Sequence, residues 1–176
     1  MFSLRPSTVL VPVLLVAGLL SSCATATRID AAGDVHALLI AIRDNDKAAF
    51  NAHVDRPALK RSIEARLMAE ADKATDDPGL KALGALAAPY LADAANRSLI
   101  QPSTFRSLAY QYGYRPDQPI PGQVAIAGAL KTLPDGRVCA TRKKDGPCVL
   151  MFTQEEGTWR LSGFEGDITD LNNRRR

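Results

Sequence analysis

The hydrophobic period of this sequence changes near residue 122, and this change limits the fold more than any other feature. Before it, apolar residues recur at helical spacing, starting with an i, i+3, i+4, i+7 set that follows a candidate N-cap at Asp34. The members of this set are Val35, Leu38, Leu39 and Ile42. Further helices are predicted to start near Lys47, Pro57, Pro78 and Pro102. The first part of the chain is therefore predicted to be helical.

The helix predicted from Leu80 to Ile100 is rich in alanine and leucine. No charged residue lies between Lys81 and Asp93, so we expect most of this helix to be buried. Pro89 removes one backbone hydrogen bond and is expected to kink or split the helix. The segment that follows, Tyr110 to Gly122, is predicted to be an irregular linker because it contains three prolines.

After the linker, apolar and polar residues alternate in short runs, a pattern typical of β-strands. The first run includes Val124, Ile126 and Leu130. Three turn signals separate this run from three more: Pro134-Asp135-Gly136, Lys144-Asp145-Gly146-Pro147 and Glu155-Glu156-Gly157. The sequence thus predicts an α+β fold in which N-terminal helices pack on a C-terminal four-stranded antiparallel meander. Such a shape resembles cystatin-like or nuclear-transport-factor-like cones, a resemblance that implies no function.

The N-terminus has the organisation of an export signal. A short basic head containing Arg5 precedes an apolar run, Thr8 to Leu20, that is shorter than a membrane-spanning helix requires. The run ends in Leu20-Ser21-Ser22-Cys23, which resembles the lipobox of bacterial lipoproteins. The resemblance implies lipidation of Cys23, and Ala24 after it favours the outer membrane. An ordinary secretory signal or an uncleaved anchor is the alternative.

These observations predict one domain on a membrane tether. We expect a signal peptide over 1–22, a tether over 23–33, a single α+β domain over 34–164 and a C-terminal tail over 165–176. Removing the first 22 of 176 residues leaves 154, a common domain size, and lowers the formal net charge from +3 to +2. So mild a charge does not predict nucleic-acid binding, and the cluster Arg174-Arg175-Arg176 is expected to be a solvated end.

The two remaining cysteines, Cys139 and Cys148, flank the second turn signal. In an oxidising compartment we expect them to lie opposite each other on paired strands and to form a disulfide. A metal or redox site is the alternative. Two cysteines without a nearby histidine make a poor zinc site, and their spacing is not C-x-x-C.

Candidate functional residues are few. His36 and His53 are expected to have surface or capping roles, since neither has a paired carboxylate or nucleophile at readable spacing. The best candidate binding surface combines aromatic side chains with an arginine: Tyr110, Tyr112, Tyr114 and Arg115. The alternative is that these tyrosines cover one end of the sheet. Trp159 is expected in the core, and no metal ligand set or cofactor is predicted.

Parts of the chain resemble an uncharacterised family of short bacterial envelope proteins, a domain of unknown function. The resemblance is carried by Ala41 to Asp46, by the run Val54-Asp55-Arg56-Pro57-Ala58-Leu59-Lys60-Arg61-Ser62, and by Gly157-Thr158-Trp159-Arg160-Leu161. It extends from about Asp34 to Phe164 and implies no catalytic residues.

Two functional hypotheses follow. The first is a non-enzymatic lipoprotein, anchored to a membrane on the periplasmic side of the envelope, that binds an envelope protein or component. The second is a small-ligand binder or weak enzyme with a cavity between helices and sheet, which a pocket lined by the tyrosines would favour.

Overall fold

The computed structural model describes residues 10–111, 114–115, 117–141 and 146–165, with side chains described from Ala24 onward except at Gln111. Six helices precede a four-stranded sheet. The helices are α1 (Leu10–Asp44), α2 (Lys47–Ala52), α3 (Arg56–Ala74), α4 (Pro78–Leu99), α5 (Pro102–Gln111) and α6 (Gln123–Ala129). The strands are β1 (Leu130–Thr132), β2 (Val138–Thr141), β3 (Cys148–Glu155) and β4 (Thr158–Phe164). The predicted α+β class is confirmed.

The sheet is an antiparallel meander with strand order β1-β2-β3-β4, as the turn signals predicted. At the first turn, Gly136 has a φ of 83°, a conformation that glycine adopts without strain. At the third turn, Glu156 and Gly157 both have positive φ, the requirement of a type I′ hairpin. Of the second turn signal, Lys144 and Asp145 lie outside the described residues.

Asp46, Asp55 and Asp77 start α2, α3 and α4. Each side chain accepts hydrogen bonds from backbone N–H groups of the first helical turn, which otherwise have no partner inside the helix. Pro57 and Pro78 occupy the first turn of α3 and α4, as predicted. Pro89 does not split α4, which continues as a helix from Pro78 to Leu99.

The helix predicted to start at Asp34 begins much earlier, and the expectation of a tether over 24–33 is wrong. Residues 24–33 belong to α1, and both Ala31 and Ala32 are completely buried. Small side chains suggested a flexible linker from sequence. In the structure they let the helix pack closely on its neighbours.

The alternation from Val124 to Leu130 also predicted the wrong element. Gln123–Ala129 forms α6, and only Leu130–Thr132 forms β1. Ile126 and Ala127 are buried, whereas Val124 is 88% exposed. Over seven residues, a helical and a strand period fit the same few apolar positions, so the pattern did not decide between them.

Helix α1 crosses the sheet from one edge to the other. Near its N-terminal side, the Ala24 carbonyl accepts a hydrogen bond from Thr132 Oγ1 in edge strand β1, at 3.2 Å. Further along, Asp34 Oδ2 accepts one from the backbone N–H of Trp159 in the opposite edge strand, β4, at 2.8 Å. Apolar side chains of α1, α2, α3, α6 and the sheet fill the core between these two points, among them Phe50 and Phe152.

Helices α3 and α4 form a hairpin beside β4. Val54, just before α3, makes a parallel bridge with Leu161 of β4, and the Asp55 N–H donates to the Leu161 carbonyl at 3.0 Å. Of α3, only Leu59 is fully buried, and α4 buries Ala88, Ala92 and Asn96. The hairpin therefore attaches to the domain at its base and projects from the β4 edge.

Within the described ranges, no helix has both the length and the apolarity needed to cross a bilayer.

Candidate functional site

The sequence-predicted residues lie in three separate places. Cys23 belongs to α1, and its lipidation stays a prediction. The residue after it, Ala24, contacts the β1 edge through the hydrogen bond from Thr132. If Cys23 carries lipid, the attachment point therefore lies at the β1 side of the sheet.

Cys139 and Cys148 form a disulfide, with their Cα atoms 5.5 Å apart. They are not direct strand partners as expected. Cys139 pairs with Met151 and Cys148 pairs with Thr141, because the β2–β3 register shifts between Ala140 and Thr141. Cys139 is completely buried, and strand alternation places it on the sheet face opposite the core residue Val138, so the bond fastens the β2–β3 hairpin from that face.

Two of the three predicted tyrosines come together. The rings of Tyr110, at the end of α5, and Tyr114 are stacked with centroids 6.3 Å apart and planes within 7°. Tyr112 lies outside the described residues. Arg115 is exposed and donates to the Tyr114 carbonyl, while its backbone N–H donates to Gln118 Oε1. These bonds are local and shape the linker, and ligand binding at the group stays a prediction.

The two histidines make contacts between segments. His36 Nδ1 lies 2.9 Å from the Pro121 carbonyl, which joins α1 to the linker. His53 Nδ1 lies 3.5 Å from Asp34 Oδ1 and makes no hydrogen bond. At that separation it forms an ion pair only when the imidazole is protonated.

Asp30 and Asp34 attach α1 to the β4 edge through Trp159. Asp30 Oδ2 accepts from the indole Nε1–H at 2.8 Å and from Gln154 Nε2 at 3.1 Å, while Asp34 accepts from the Trp159 backbone. Trp159 is buried, as predicted. Both carboxylates are thus engaged by hydrogen-bond donors, and the cluster joins helix and sheet. Among residues whose placement is described, no group of three or more His, Cys, Asp or Glu side chains can hold a metal ion.

An open cavity of about 290 Å³ lies between α1, α6 and the β1–β2 edge of the sheet. Its polar lining residues are Arg28, Lys131, Thr132 and Thr141. Ala24, Gly128 and Leu130 complete the lining. Neither Tyr110 nor Tyr114 lines this cavity, so the structure separates the predicted aromatic surface from this concave site.

The largest departure from expectation is the outer face of α4. Five large side chains of this helix are between 55% and 79% exposed: Leu80, Leu83, Leu86, Tyr90 and Leu91. At 100° per residue they occupy an arc of about 140°, and the buried Ala88, Ala92 and Asn96 lie on the opposite side. The expectation that most of α4 is buried is therefore wrong. We call this exposed strip the α4 face.

The small residues of α4 explain why its large residues point outward. A Cβ on Gly84 would lie 2.9 Å from the Ala71 Cβ of α3, so the two helices approach too closely for a side chain there. Only small groups fit between α3 and α4, which leaves the leucines on the other side. The sequence contains a signal for this arrangement, because large residues recur on one face of α4 and small residues on the other. The absence of charged residues between Lys81 and Asp93 indicated burial instead.

Polar contacts hold the hairpin base in place. Arg56 Nη1 donates to the Asn96 carbonyl at 3.1 Å, and Nη2 donates to the Ile100 carbonyl at 2.8 Å and to Asn51 Oδ1 at 2.9 Å. Asn96 Nδ2 returns a bond to the Arg56 carbonyl at 2.7 Å. Arg56 thus donates to carbonyls at the C-terminal end of α4, where the last C=O groups have no N–H donor within the helix.

Comparison with known protein families gives a match. A family model described as "Protein of unknown function (DUF2939)" matches residues 12–108, which is 97 of 176 residues and extends from α1 into α5. No curated protein and no solved structure matches the chain. The predicted resemblance to a domain of unknown function is confirmed for this range, which includes the hairpin and the α4 face and ends before the sheet.

Proposed function

The chain belongs to the DUF2939 family of proteins of unknown function, and from this premise we propose that it is a lipid-anchored accessory protein of the bacterial cell envelope. In this proposal the α4 face inserts into an apolar groove of another envelope protein. The observation that carries the proposal is the exposure of five large apolar side chains on one face of a helix, which the described part of the chain leaves largely uncovered.

Two observations support the location. Leu20-Ser21-Ser22-Cys23 has the residue types of a lipobox, and a disulfide joins the other two cysteines of the chain. Disulfides persist in oxidising compartments such as the periplasm and are rare in the cytosol. With two or three acyl chains on Cys23, membrane attachment would be stable, since one chain alone binds only marginally.

The positions of anchor and helix favour a protein partner over the bilayer. Ala24, next to the proposed lipid, contacts β1, whereas the α3–α4 hairpin projects from β4 at the opposite edge of the sheet. The lipid and the α4 face therefore lie at opposite edges of the sheet. An anchor at one edge leaves the other available to a neighbouring protein.

The shape of the α4 face indicates a concave partner. Side chains exposed to this extent stand out from a single helix and do not border a groove of their own. Leu83, Leu86 and Tyr90 follow the i, i+3, i+7 spacing of a helix that inserts into an apolar groove, and the α4 face from Leu80 to Leu91 extends over about 17 Å of helix length.

The free energy available from burying the α4 face against a partner is moderate. Burying a leucine side chain completely contributes about 1.5–3 kcal/mol, so the exposed fractions of these five residues offer roughly 5–9 kcal/mol. Association itself costs about 4–15 kcal/mol. A preformed groove is therefore required, and the complex is expected to be reversible.

The test is crosslinking in intact cells that produce the full chain or one of two variants. Leu83→Glu/Leu86→Glu places charges in the α4 face, and Ala82→Glu places one on an exposed residue of the same helix outside it. We expect an envelope protein to crosslink to the wild type and to Ala82→Glu, through peptides that line an apolar groove, and to be lost from the double variant. Crosslinks to a second copy, or equal crosslinking of all three chains, would contradict the proposed partner.

The anchor is tested separately by the mass of the N-terminal peptide from native protein. Diacylglyceryl mass on Cys23 is expected. A native chain that keeps its initiator methionine, or a peptide without acyl mass, would overturn the location and leave the α4 experiment to stand on its own result.

A further inference from the structure

The cavity beside α1 has the composition of an anion site. Among the described residues, its lining includes two cations, Arg28 and Lys131, and two hydroxyl groups, Thr132 and Thr141, but no carboxylate. Two positively charged residues that line one cavity favour a ligand with negative charge.

Arg28 is held in place and retains donors. Its Nε donates to the Ala24 carbonyl at 3.3 Å and its Nη2 to Thr25 Oγ1 at 3.2 Å, which fixes the guanidinium against its own helix turn. A guanidinium has five N–H donors, so these two contacts leave three for a ligand. In the part of the chain that the structure describes, Lys131 forms no ion pair, and its ammonium has three donors.

We propose that this cavity binds a phosphate group. Phosphate carries up to two negative charges, which match the two cations, and its oxygens accept from guanidinium, ammonium and hydroxyl donors together. A volume of about 290 Å³ admits a phosphorylated headgroup or small molecule, but it is at the lower limit for a drug-sized ligand.

The position of the cavity makes an anionic phospholipid headgroup one source of the phosphate. Arg28 follows Cys23 by five residues, about 7.5 Å along α1. If Cys23 is acylated, the cavity lies at the depth of the headgroups, where basic pockets bind anionic lipids. This source depends on the proposed anchoring. Free phosphate or a soluble phosphate ester is the other source and does not depend on it.

The experiment compares the full chain with two double variants that lose the same charge. Arg28→Gln/Lys131→Gln alters the cavity, and Lys47→Gln/Arg61→Gln alters exposed basic residues on α2 and α3. Circular dichroism verifies that each variant folds. One arm measures binding to vesicles of phosphatidylglycerol and to vesicles of phosphatidylcholine. Apolar insertion of the N-terminus contributes equally to both, so the difference between them reports the preference for the anionic headgroup. The other arm titrates inorganic phosphate and follows the backbone amide signals of Thr132 and Thr141 by NMR.

We expect the cavity variant to lose a preference for phosphatidylglycerol of roughly 10- to 30-fold, while the control variant retains most of it. A second outcome supports the same site with a soluble source of phosphate. In that outcome inorganic phosphate shifts the threonine amide signals of the full chain but not those of the cavity variant, and the full chain shows no preference between the two vesicles. Equal losses in both double variants, or no response in either arm, would overturn the proposal. Lys131 would then only protect an edge strand from pairing with another chain.

Discussion

Replacing leucines of the α4 face with glutamine should lower the stability of the fold only slightly. Leu83 is 63% exposed and Leu86 is 70% exposed, so the double variant Leu83→Gln/Leu86→Gln removes little buried apolar surface. Leucine and glutamine have nearly equal helix propensities. We therefore expect the free energy of unfolding to fall by no more than about 1–2 kcal/mol, because only the smaller part of each leucine side chain is buried.

If the sequence-based expectation of burial were right, the same variant would lose about 3–6 kcal/mol, since each buried leucine contributes about 1.5–3 kcal/mol. The two outcomes differ enough for urea denaturation to separate them. The single tryptophan, Trp159, is buried against the sheet and α1 and reports unfolding by fluorescence.

The matched control is Leu59→Ala. Leu59 is completely buried on α3, and its truncation is expected to cost about 2–5 kcal/mol. A loss above about 2 kcal/mol in the α4 double variant, with an unchanged m-value, would mean that the α4 face packs within the folded chain. That result would refute the basis of the proposed docking surface.

Three more predictions concern the hairpins. Replacing Cys139 and Cys148 with serine opens a short loop and should lower the free energy of unfolding by about 2–3 kcal/mol in urea denaturation. Gly84→Leu should destabilise the α3–α4 hairpin, measured as faster amide hydrogen exchange in α4, because a Cβ there meets α3 at 2.9 Å. Arg137→Gln should raise the pKa of Asp135 in an NMR titration, because the side-chain and backbone hydrogen bonds from Arg137 lower it. Since this pKa is lowered in the folded state, the stabilisation is present above the unfolded value and is lost as pH falls through the folded one.

For each of these three predictions, one outcome would contradict the physical reason given for it. An unchanged urea midpoint without the disulfide would mean that the β2–β3 hairpin is held by its core side chains alone. Unaltered exchange in Gly84→Leu would mean that α3 and α4 can separate without loss. A fixed pKa of Asp135 would show that the turn does not hold the ion pair in solution.

The elements with strong local signals were predictable from sequence. Aspartate caps with prolines after them placed the starts of α3 and α4, and the turn residues placed the meander. These signals are reliable because a cap or a positive-φ turn depends on a few neighbouring atoms. The disulfide was predictable for the same reason, although its register was not.

The misinterpreted segments depend on contacts distant in sequence. Ala31 and Ala32 were assigned to a tether, because nothing local shows that a helix of small residues will pack on a sheet. The α4 leucines were assigned to the core because hydrophobicity alone does not say which face meets a neighbour. The small residues Gly84 and Ala88 determine which face of α4 packs on α3, because α3 can approach closely only on their side. A cavity between helices and sheet was one of the two hypotheses, but its lining was not predictable, since Arg28 and Lys131 come from α1 and β1, which are distant in sequence.

The central claim is that α4 presents one face to a partner, and a photo-crosslinker scan along the helix in living cells tests it most directly. A crosslinking residue is placed in turn at positions 82, 83, 85, 86 and 90. We predict that an envelope protein is captured with helical periodicity, strongly from positions 83, 86 and 90 and weakly from 82 and 85. Uniform capture at all five positions, or capture of lipid or a second copy from the α4 face, would contradict the account.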